Sequence, residues 1–173
     1  MSNYKEKLKH ITTFIFDFDG VLSDGKVWVV DAETQLRNSN VKDGYAIHHA
    51  VKNGYNVAVI SGGKGQTMEE RLKFIGVSDI FTQVHYKKEK FEAYLLEKNL
   101  KAEEVLYMGD DIPDYEVMQM AGMSACPADA ATEILDIAQY ISHKNGGDGC
   151  VRDIIEQVLR ARNDWFNEQR FHW

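Results

Sequence analysis

The chain has 173 residues, 44% of them hydrophobic, so it is long enough to bury a core and short enough that one domain is the default. Its 27 acidic and 20 basic residues give a formal net charge of −7, which disfavours a general nucleic-acid binder and an anionic membrane surface as partner. No run is long enough to span a membrane, the start does not resemble a secretory signal, and two distant cysteines favour a reducing compartment, so we expect one cytoplasmic domain over residues 1–173.

Short apolar runs alternate with amphipathic segments along the chain. The runs predict buried strands at 13–16, 56–60, 80–82, 105–108 and 123–125. Helices are predicted at 44–52, 66–75, 89–98, 115–121, 130–135 and 151–162. This alternation predicts an α/β fold with a doubly wound, mainly parallel Rossmann-like sheet, in which ligands bind at the carboxyl ends of the strands.

Two segments depart from the alternation. Residues 26–30 and 35–38 flank a polar turn and predict a small β-hairpin at about 26–40, too short to form a cap domain. A glycine-rich loop at 145–149 precedes the last helix, and the chain ends in an aromatic tail. The aromatic residues of this tail are Trp165, Phe166, Phe171 and Trp173. We interpret the tail as packing between subunits, and whether the 145–173 region closes a site stays open.

The first apolar run ends in two aspartates, Asp17 and Asp19, followed by Gly20. If the strand continued through both, the two carboxylates would share a face. At about 4 Å they would repel by roughly 4 kcal/mol at an effective dielectric near 20, so a proton or a cation must lie nearby. A calcium loop of the EF-hand type is excluded because the glycine follows directly instead of standing at the sixth position.

Polar residues also follow the later predicted strands. They are Ser61 with Gly62, then Lys88, then Gly109, Asp110, Asp111 and Asp114. Because the ends of parallel strands converge on one crevice, the sequence predicts carboxylates, a hydroxyl and a lysine in one site. Mg²⁺ prefers such oxygen ligands together with substrate phosphate. Phosphate-ester hydrolysis needs an acceleration of up to ~10²¹-fold, whereas one general acid or base supplies about 10²–10⁴, so several of these groups must act together.

In order and in sequence, these groups resemble the four motifs of the haloacid dehalogenase superfamily phosphatases. The resemblance implies that Asp17 is the nucleophile that forms an aspartyl-phosphate, and that Asp19 is the general acid and base. It implies the following further roles: Gly20, Ser61, Gly62 and Lys88 at the phosphate, Asp17, Asp110 and the carbonyl of Asp19 as Mg²⁺ ligands, and Asp111 and Asp114 as supporting carboxylates. Lys88 is preferred to Lys87 because of its placement relative to the following helix.

The resemblance narrows to a capless branch of that superfamily. This narrower resemblance rests on residues 21–25, the hairpin, residues 41–44 and residues 146–153. Members of this branch hydrolyse 3-deoxy-D-manno-octulosonate 8-phosphate, in lipopolysaccharide precursor synthesis, or the related nonulosonate 9-phosphates, and they assemble as homotetramers. The resemblance therefore implies a Mg²⁺-dependent phosphatase of a sugar-acid phosphate, with the eight-carbon sugar preferred and the nine-carbon sugar as the alternative.

One position departs from the pattern of the branch. Gly63 stands where many of the eight-carbon enzymes carry arginine and the nine-carbon relatives tend to carry an acidic residue. We expect Lys64 and Arg71 to compensate as cations that face the substrate carboxylate.

A non-enzymatic alternative also fits an aspartate in a doubly wound sheet: a receiver-like phospho-acceptor domain. Such a domain accepts the phosphoryl group after a later strand and keeps it, whereas a carboxyl two residues after the acceptor suits turnover. A nucleotide-binding P-loop at 62–67 is disfavoured because Lys64 lacks an adjacent serine or threonine. His85 is interpreted as incidental.

Overall fold

The structure is a computed structural model that describes residues 4–31 and 34–166. Its helices and strands are α1 (Tyr4–Leu8), β1 (Thr13–Phe16), β2 (Trp28–Val29), β3 (Gln35–Leu36), α2 (Val41–Lys52), β4 (Asn56–Ile60), α3 (Gln66–Phe74), β5 (Asp79–Phe81), α4 (Lys87–Lys98), β6 (Val105–Met108), α5 (Tyr115–Met120), β7 (Met123–Cys126), α6 (Thr132–Ile137), β8 (Tyr140–Ile141) and α7 (Cys150–Ala161). Short 3₁₀ turns occupy Ala102–Glu104 and Ile112–Asp114.

Six strands form one sheet in the order β5-β4-β1-β6-β7-β8, and every pairing in it is parallel. β1 lies in the middle, with β4 on one side and β6 on the other. The chain order reverses there, and such a switch point leaves a crevice at the carboxyl ends of the strands. The segments that follow β1, β4 and β6 therefore converge, and the predicted doubly wound, mainly parallel α/β fold is confirmed.

Helices cover both faces of the sheet because side chains alternate along each strand. Phe14 and Phe16 face a core shared with α2, α3 and α7, whereas Ile15 faces a second core shared with α4, α5 and α6. Helix α7 buries an apolar stripe at helical spacing. The stripe consists of Val151, Ile154, Ile155, Val158 and Leu159.

Element boundaries differ from the predicted ones mainly at helix starts. Three of the five predicted sheet strands have the observed bounds, β5 begins and ends one residue earlier than predicted, and β7 ends one residue later. Helix α2 begins at Val41, three residues early, because the side chain of Asn40 accepts hydrogen bonds from the first turn of the helix. Strand β8 and helix α1 were not predicted, since each is too short to show a period.

The predicted hairpin is present but shorter than expected. β2 and β3 pair antiparallel as a separate two-stranded sheet, with Trp28 opposite Leu36. The Val30 N–H donates to the Thr34 carbonyl at 3.0 Å, which begins the turn. Three consecutive apolar side chains of this hairpin, on Trp28, Val29 and Val30, are exposed to solvent.

The glycine-rich loop before α7 packs against the turn that follows β1. The Gly147 N–H donates to the Val21 carbonyl at 2.9 Å. A Cβ added to Gly146 would collide with the carbonyl of Gly20, and one added to Gly147 would press on the Ser23–Asp24 backbone. This close backbone approach requires glycine and holds the aspartate turn from behind.

The end of the described chain folds back onto α2. Trp165 is buried, and its ring lies edge-on to His49 at 5.4 Å. Trp165 therefore packs within its own chain, contrary to the predicted role between subunits, and for Phe171 and Trp173 that prediction falls outside the described residues. Across the described ranges, no helix is long and apolar enough to cross a membrane.

Candidate active site

The turn after β1 places Asp17 and Asp19 in different surroundings. β1 ends at Phe16, and the Asp17 N–H still donates to the Met108 carbonyl of β6 at 3.0 Å. The chain then leaves the sheet, and Gly20 adopts a φ of +90°, in the left-handed region that favours glycine. Strand alternation therefore stops before Asp19, so the two carboxylates do not share a face.

Asp17 belongs to a buried cluster with one lysine. Lys87 Nζ lies 2.9 Å from Asp17 Oδ1 and 2.7 Å from Asp114 Oδ1. The hydroxyl of Tyr107, on β6, donates to the same Asp114 oxygen at 2.6 Å. Burial and the nearby Asp114 charge raise the pKa of Asp17 to about 7, although the Lys87 cation opposes the shift.

Asp110 completes this carboxylate cluster. Its backbone N–H donates to Asp114 Oδ2 at 3.3 Å, and a Cβ on Gly20 would collide with its carboxylate. Burial and the charges of Asp17 and Asp114 raise the pKa of Asp110 to about 8. Lys87 bonds to Asp17 and Asp114 but not to Asp110, so the three carboxylates, when ionised, carry more negative charge than this lysine neutralises.

The cluster fits a divalent cation. Ligand oxygens of Asp17, Asp110 and Asp114 lie within 4.8 Å of one another. Oδ1 of Asp110 is buried and has no hydrogen-bond partner. A buried carboxylate oxygen without a partner is costly, and an oxygen-rich site is what Mg²⁺ prefers. The residues present are therefore suited to holding Mg²⁺.

Asp19 points away from this cluster. Its Oδ1 accepts a hydrogen bond from Arg37 Nε at 2.6 Å and a second from the Ser23 hydroxyl at 3.3 Å. Arg37 directly follows β3 and so reaches the site from the hairpin. The sequence did not point to Arg37, because nothing in the spacing indicates that the hairpin folds over the aspartate turn.

The loop after β4 supplies the hydroxyl side of the site. The Ser61 N–H donates to the Phe81 carbonyl at 2.9 Å, and its Oγ accepts from the Gly63 N–H at 3.1 Å. A cleft of about 450 Å³ opens between this loop and the carboxylates. Its lining residues are Asp17, Asp19, Gly25, Ser61, Gly62, Gly63, Val84, His85, Lys87, Asp110, Asp111, Pro113 and Asp114.

The expectation that Lys88 serves the site is wrong, because the structure places Lys87 there. The Lys87 side chain is 5% exposed, whereas that of Lys88 is 47% exposed and lies 3.8 Å from Glu116. Helix α4 begins at Lys87, and its buried residues are Lys87, Phe91 and Tyr94, at i, i+4 and i+7. This helical period was visible in the sequence and would have identified the correct lysine.

The two cations expected to compensate for Gly63 do not line the carboxylate cleft. Lys64 is exposed and lies beside a neighbouring groove between the hairpin and α3. Arg71 packs toward α2, with its guanidinium 2.8 Å from where a Cβ on Gly44 would lie. The guanidinium beside Gly63 is that of Arg37, whose Nη2 would lie 3.2 Å from an added Cβ.

Asp111, His85 and Tyr107 also belong to the surroundings of the site. Asp111 lies at the cleft edge, and its side chain accepts from the Ile112 N–H at 2.8 Å, so it also caps a turn. His85, interpreted as incidental, lines the cleft. Nothing in the sequence indicated a role for Tyr107, because a tyrosine inside a predicted buried strand is expected to be a core residue.

Comparison with known proteins first defines the class. Residues 72–154 match the haloacid dehalogenase-like hydrolases. This segment contains Lys87, Asp110 and Asp114, the part of the cluster contributed by α4 and the chain after β6. The doubly wound sheet and the strand-end carboxylates agree with that class.

Relatives then narrow the class. The 3-deoxy-D-manno-octulosonate 8-phosphate phosphatase KdsC of Salmonella typhi is 35% identical over 156 residues, which cover 90% of this chain and 83% of the relative. The crystal structure of the Yersinia pestis enzyme of the same name has a TM-score of 0.90 and 31% identity, covering 92% of this chain and 86% of that one.

A third relative carries ligands. The Moraxella catarrhalis 3-deoxy-D-manno-octulosonate 8-phosphate phosphatase, solved with a magnesium ion, a phosphate ion and KDO, has a TM-score of 0.91 and 29% identity, covering 95% of this chain and 94% of that one. The chain therefore belongs to the haloacid dehalogenase-like hydrolases, in the family that these sugar-acid phosphatases represent. The resemblance noted in the sequence is confirmed at the level of the family.

Proposed function

We propose that the protein is a Mg²⁺-dependent phosphatase that hydrolyses 3-deoxy-D-manno-octulosonate 8-phosphate to the free sugar acid and phosphate, in lipopolysaccharide precursor synthesis. The observation that carries this proposal is 35% identity, over 90% of the chain, to a phosphatase of that substrate. The buried cluster of Asp17, Lys87, Asp110 and Asp114 supports the chemistry. A cytoplasmic location belongs to the same proposal and is supported by two buried cysteines without a disulfide.

Asp17 is the proposed nucleophile. Its Oδ1 is held 2.9 Å from Lys87 Nζ, and the cation favours the ionised, attacking form and the anionic phosphoryl group. Asp114 and the Tyr107 hydroxyl fix Lys87 by closing the network on its other side. Lys87 thus takes the role that the sequence had assigned to Lys88.

The proposed metal ligands are the carboxylates of Asp17 and Asp110 and the carbonyl of Asp19, with Asp114 close by. Bound there, Mg²⁺ supplies positive charge that neutralises the carboxylates and the phosphate oxygens. Gly20 keeps the space beside Asp110 open, since any side chain at this position would displace that carboxylate. Asp111 supports the cluster from the cleft edge.

Ser61 and Gly62 are the proposed phosphate contacts on the β4 side. Both line the cleft opposite the carboxylates. The Ser61 hydroxyl already accepts a hydrogen bond from the Gly63 N–H, so its own proton is available to a phosphoryl oxygen. Asp19 is the proposed general acid, which protonates the departing sugar oxygen and later takes a proton from the attacking water.

A homo-oligomer, and specifically a tetramer, is part of the proposal. The exposed apolar side chains of Trp28, Val29 and Val30 lie on a two-stranded hairpin whose strands are two residues long. An isolated hairpin of this kind is marginally stable in water, and exposed contiguous apolar residues are typical of an interface. We expect hairpins of several copies to pack together.

Phosphate release over a panel of sugar phosphates, with and without Mg²⁺, tests this function. The wild-type protein should release phosphate from the eight-carbon ester only when Mg²⁺ is present, and Asp17→Asn should be inactive, since an amide cannot form the aspartyl-phosphate. Asp136→Asn, a change on the exposed side of α6, is the matched control and should retain activity.

Two outcomes would contradict the proposal. Faster turnover of a nonulosonate 9-phosphate would assign the nine-carbon sugar instead. A stable phosphoryl group on Asp17 without release from any sugar phosphate would indicate a receiver-like phospho-acceptor.

A further inference from the structure

Arg37 is a buried cation on an otherwise exposed hairpin. Its side chain is 9% exposed, although neighbouring hairpin side chains such as Trp28 are largely in solvent. It reaches across to the aspartate turn, where Nε donates to Asp19 Oδ1 at 2.6 Å. A charge-assisted hydrogen bond this short, and partly buried, is among the stronger polar contacts in a protein.

The site therefore assigns a separate cation to each aspartate of the first motif. Lys87 binds Asp17 and Asp114, whereas Arg37 binds Asp19. Because Arg37 comes from the hairpin and Lys87 from α4, the two carboxylates are held by different elements. Asp17 can therefore attack the substrate while Asp19 is held in its own orientation by Arg37.

The contacts of Asp19 fix which of its oxygens faces the cleft. Both described side-chain partners, Arg37 Nε and the Ser23 hydroxyl, bind Oδ1. Oδ2 lies toward Gly63, since a Cβ added there would be 3.0 Å from Oδ2 and 3.2 Å from Arg37 Nη2. Any larger residue at position 63 would press on both groups, so glycine leaves room for the pair.

We propose that Arg37 is a positioning residue, which holds Oδ1 of Asp19 so that Oδ2 is aimed at the departing oxygen of the substrate. The inference rests on the proposed function and names a further residue for that same site. In the step concerned, Asp17 forms a bond to phosphorus, the ester P–O bond breaks, and the proton on Asp19 Oδ2 passes to the departing sugar oxygen.

The test compares kcat/KM for two esters, because this constant reports the steps up to departure of the leaving group. An alkoxide leaving group, as in the sugar phosphate, needs a proton, whereas the phenolate of p-nitrophenyl phosphate departs with little need of one. Arg37→Ala should lower kcat/KM for the sugar phosphate roughly 10- to 100-fold. A positioned general acid contributes about 10²–10⁴-fold to the rate, and the variant should lose part of that contribution. For the aryl phosphate the constant should stay within about threefold, since phosphate binding by Lys87 is intact.

Arg37→Lys is the conservative variant, and Lys73→Ala is the matched control. Lysine keeps the charge but not the planar fork, so it should restore only part of the lost activity. Lys73 also lies near a carboxylate, with Nζ 3.8 Å from Glu69, but on an exposed face of α3, so its removal should affect neither ester. Thermal melts of each variant show that the protein is folded.

A double-mutant cycle separates positioning from direct sugar binding. In an Asp19→Asn background, adding Arg37→Ala should cost no further activity on the sugar phosphate, because Arg37 acts through Asp19. A loss that persists in that background would show that Arg37 binds the sugar itself and would overturn the inference. An equal loss on both esters, or no loss on either, would overturn it as well.

Failure of this inference can be told apart from failure of the proposed function. If the wild-type protein hydrolyses the sugar phosphate with Mg²⁺ and Arg37→Ala behaves like wild type, only the role of Arg37 is wrong. If the wild-type protein releases no phosphate from any ester, the proposed function itself fails.

Discussion

At the scale of single residues, the carboxylate cluster is arranged at a cost to the folded protein. Asp17 and Asp110 are pressed together with Asp114, and the pKa values of the first two rise to about 7 and about 8. Among the residues that the structure describes, Lys87 is the cation that bonds to the cluster directly, through Asp17 and Asp114. Groups with strongly perturbed pKa values in a cleft are typical of active sites. A bound cation or substrate can neutralise the negative charge that the fold leaves without a partner.

The two adjacent lysines give the first prediction. Lys87→Ala should lower kcat/KM for the sugar phosphate by at least ~10²-fold, comparable to the loss of one preorganised donor to a developing charge. It should also destabilise the protein by about 3–5 kcal/mol, since buried carboxylates lose their partner. Steady-state kinetics and urea unfolding measure these effects.

Lys88→Ala is the matched control for that experiment. Its ammonium lies 3.8 Å from Glu116, and both side chains are exposed, so its loss should change stability by no more than about 0.5 kcal/mol. If Lys88→Ala were the more damaging of the two, the assignment of Lys87 to the site would be wrong.

Asp110→Asn is the second prediction and concerns metal binding. Loss of a direct ligand should weaken Mg²⁺ binding at least about tenfold, since even the loss of a group that only orients a metal ligand costs roughly 10- to 100-fold. Burial and neighbouring charges raise the pKa of Asp110, so the folded protein binds that proton more tightly than the unfolded chain does, and ionising the carboxyl at neutral pH is destabilising.

The variant should therefore melt at a higher temperature than wild type without metal, and gain less when Mg²⁺ is added. Titration calorimetry and thermal melts with EDTA or Mg²⁺ read these effects out, with Asp136→Asn as control. An unchanged Mg²⁺ affinity would exclude Asp110 as a ligand.

At the scale of elements, helix α2 supplies the cap that the start of α7 lacks. The residue before α7 is Gly149, with no side chain, and the Arg152 N–H of the first turn donates to Asp43 Oδ1 at 2.7 Å. Asp43 is buried, and its Oδ2 has no partner. The carboxylate thus joins two helices that lie behind the site, favoured by the helix dipole and opposed by burial.

The balance of these effects gives the third prediction, on pH. Burial outweighs the hydrogen bonds from Arg152 and Gly149 and the Arg152 charge, and the like charge of Asp148 adds to it, so the pKa of Asp43 rises to about 6 from 3.8. A raised carboxyl pKa means that the stability this group contributes is lost as pH rises from the unfolded to the folded value.

Asp43→Asn removes that titration. As the pH rises from about 4 to about 7, the unfolding free energy of wild type should fall relative to that of the variant, by on the order of 2–3 kcal/mol. Urea unfolding at both pH values measures it. A difference that does not depend on pH would show that Asp43 ionises in the fold as readily as in the unfolded chain.

At the scale of the whole molecule, the hairpin exposes the apolar side chains of Trp28, Val29 and Val30 to solvent. Its exposed apolar residues project from a domain whose sheet is otherwise covered on both faces. The same hairpin carries Arg37 into the site, so assembly and catalysis are joined through one short element. The prediction of one hydrolase domain over residues 1–173 stays a prediction, supported by a sheet that collects strands between Thr13 and Ile141.

Assembly gives the fourth prediction. The double change Trp28→Ser and Val30→Ser should shift the protein to a lower oligomeric state, because it removes two of the exposed apolar side chains of the hairpin. Light scattering coupled to size exclusion measures the mass. Leu96→Ser is the control, since Leu96 is 85% exposed on α4 and away from the hairpin. A wild-type monomer would contradict the proposed tetramer.

The sequence by itself determined the strand order along the chain, the helices between the strands and the aspartates and serine at the strand ends. It could do so because hydrophobic periodicity and strand-end position are local properties, visible within a few residues. The choice of Lys88 was an error of local reading, because the spacing of Lys87 with Phe91 and Tyr94 was available.

Only the tertiary structure decided which polar groups meet. Arg37 reaches Asp19 across 18 residues, Asp43 reaches Arg152 across 109, and Lys87 reaches Asp114 across 27. Contacts of this range depend on how the elements fold over one another, and long flexible side chains on exposed segments carry no periodic signal. The sequence therefore determined the carboxylates and the serine of the site, and the packing of the hairpin and helices determined which cation holds which carboxylate.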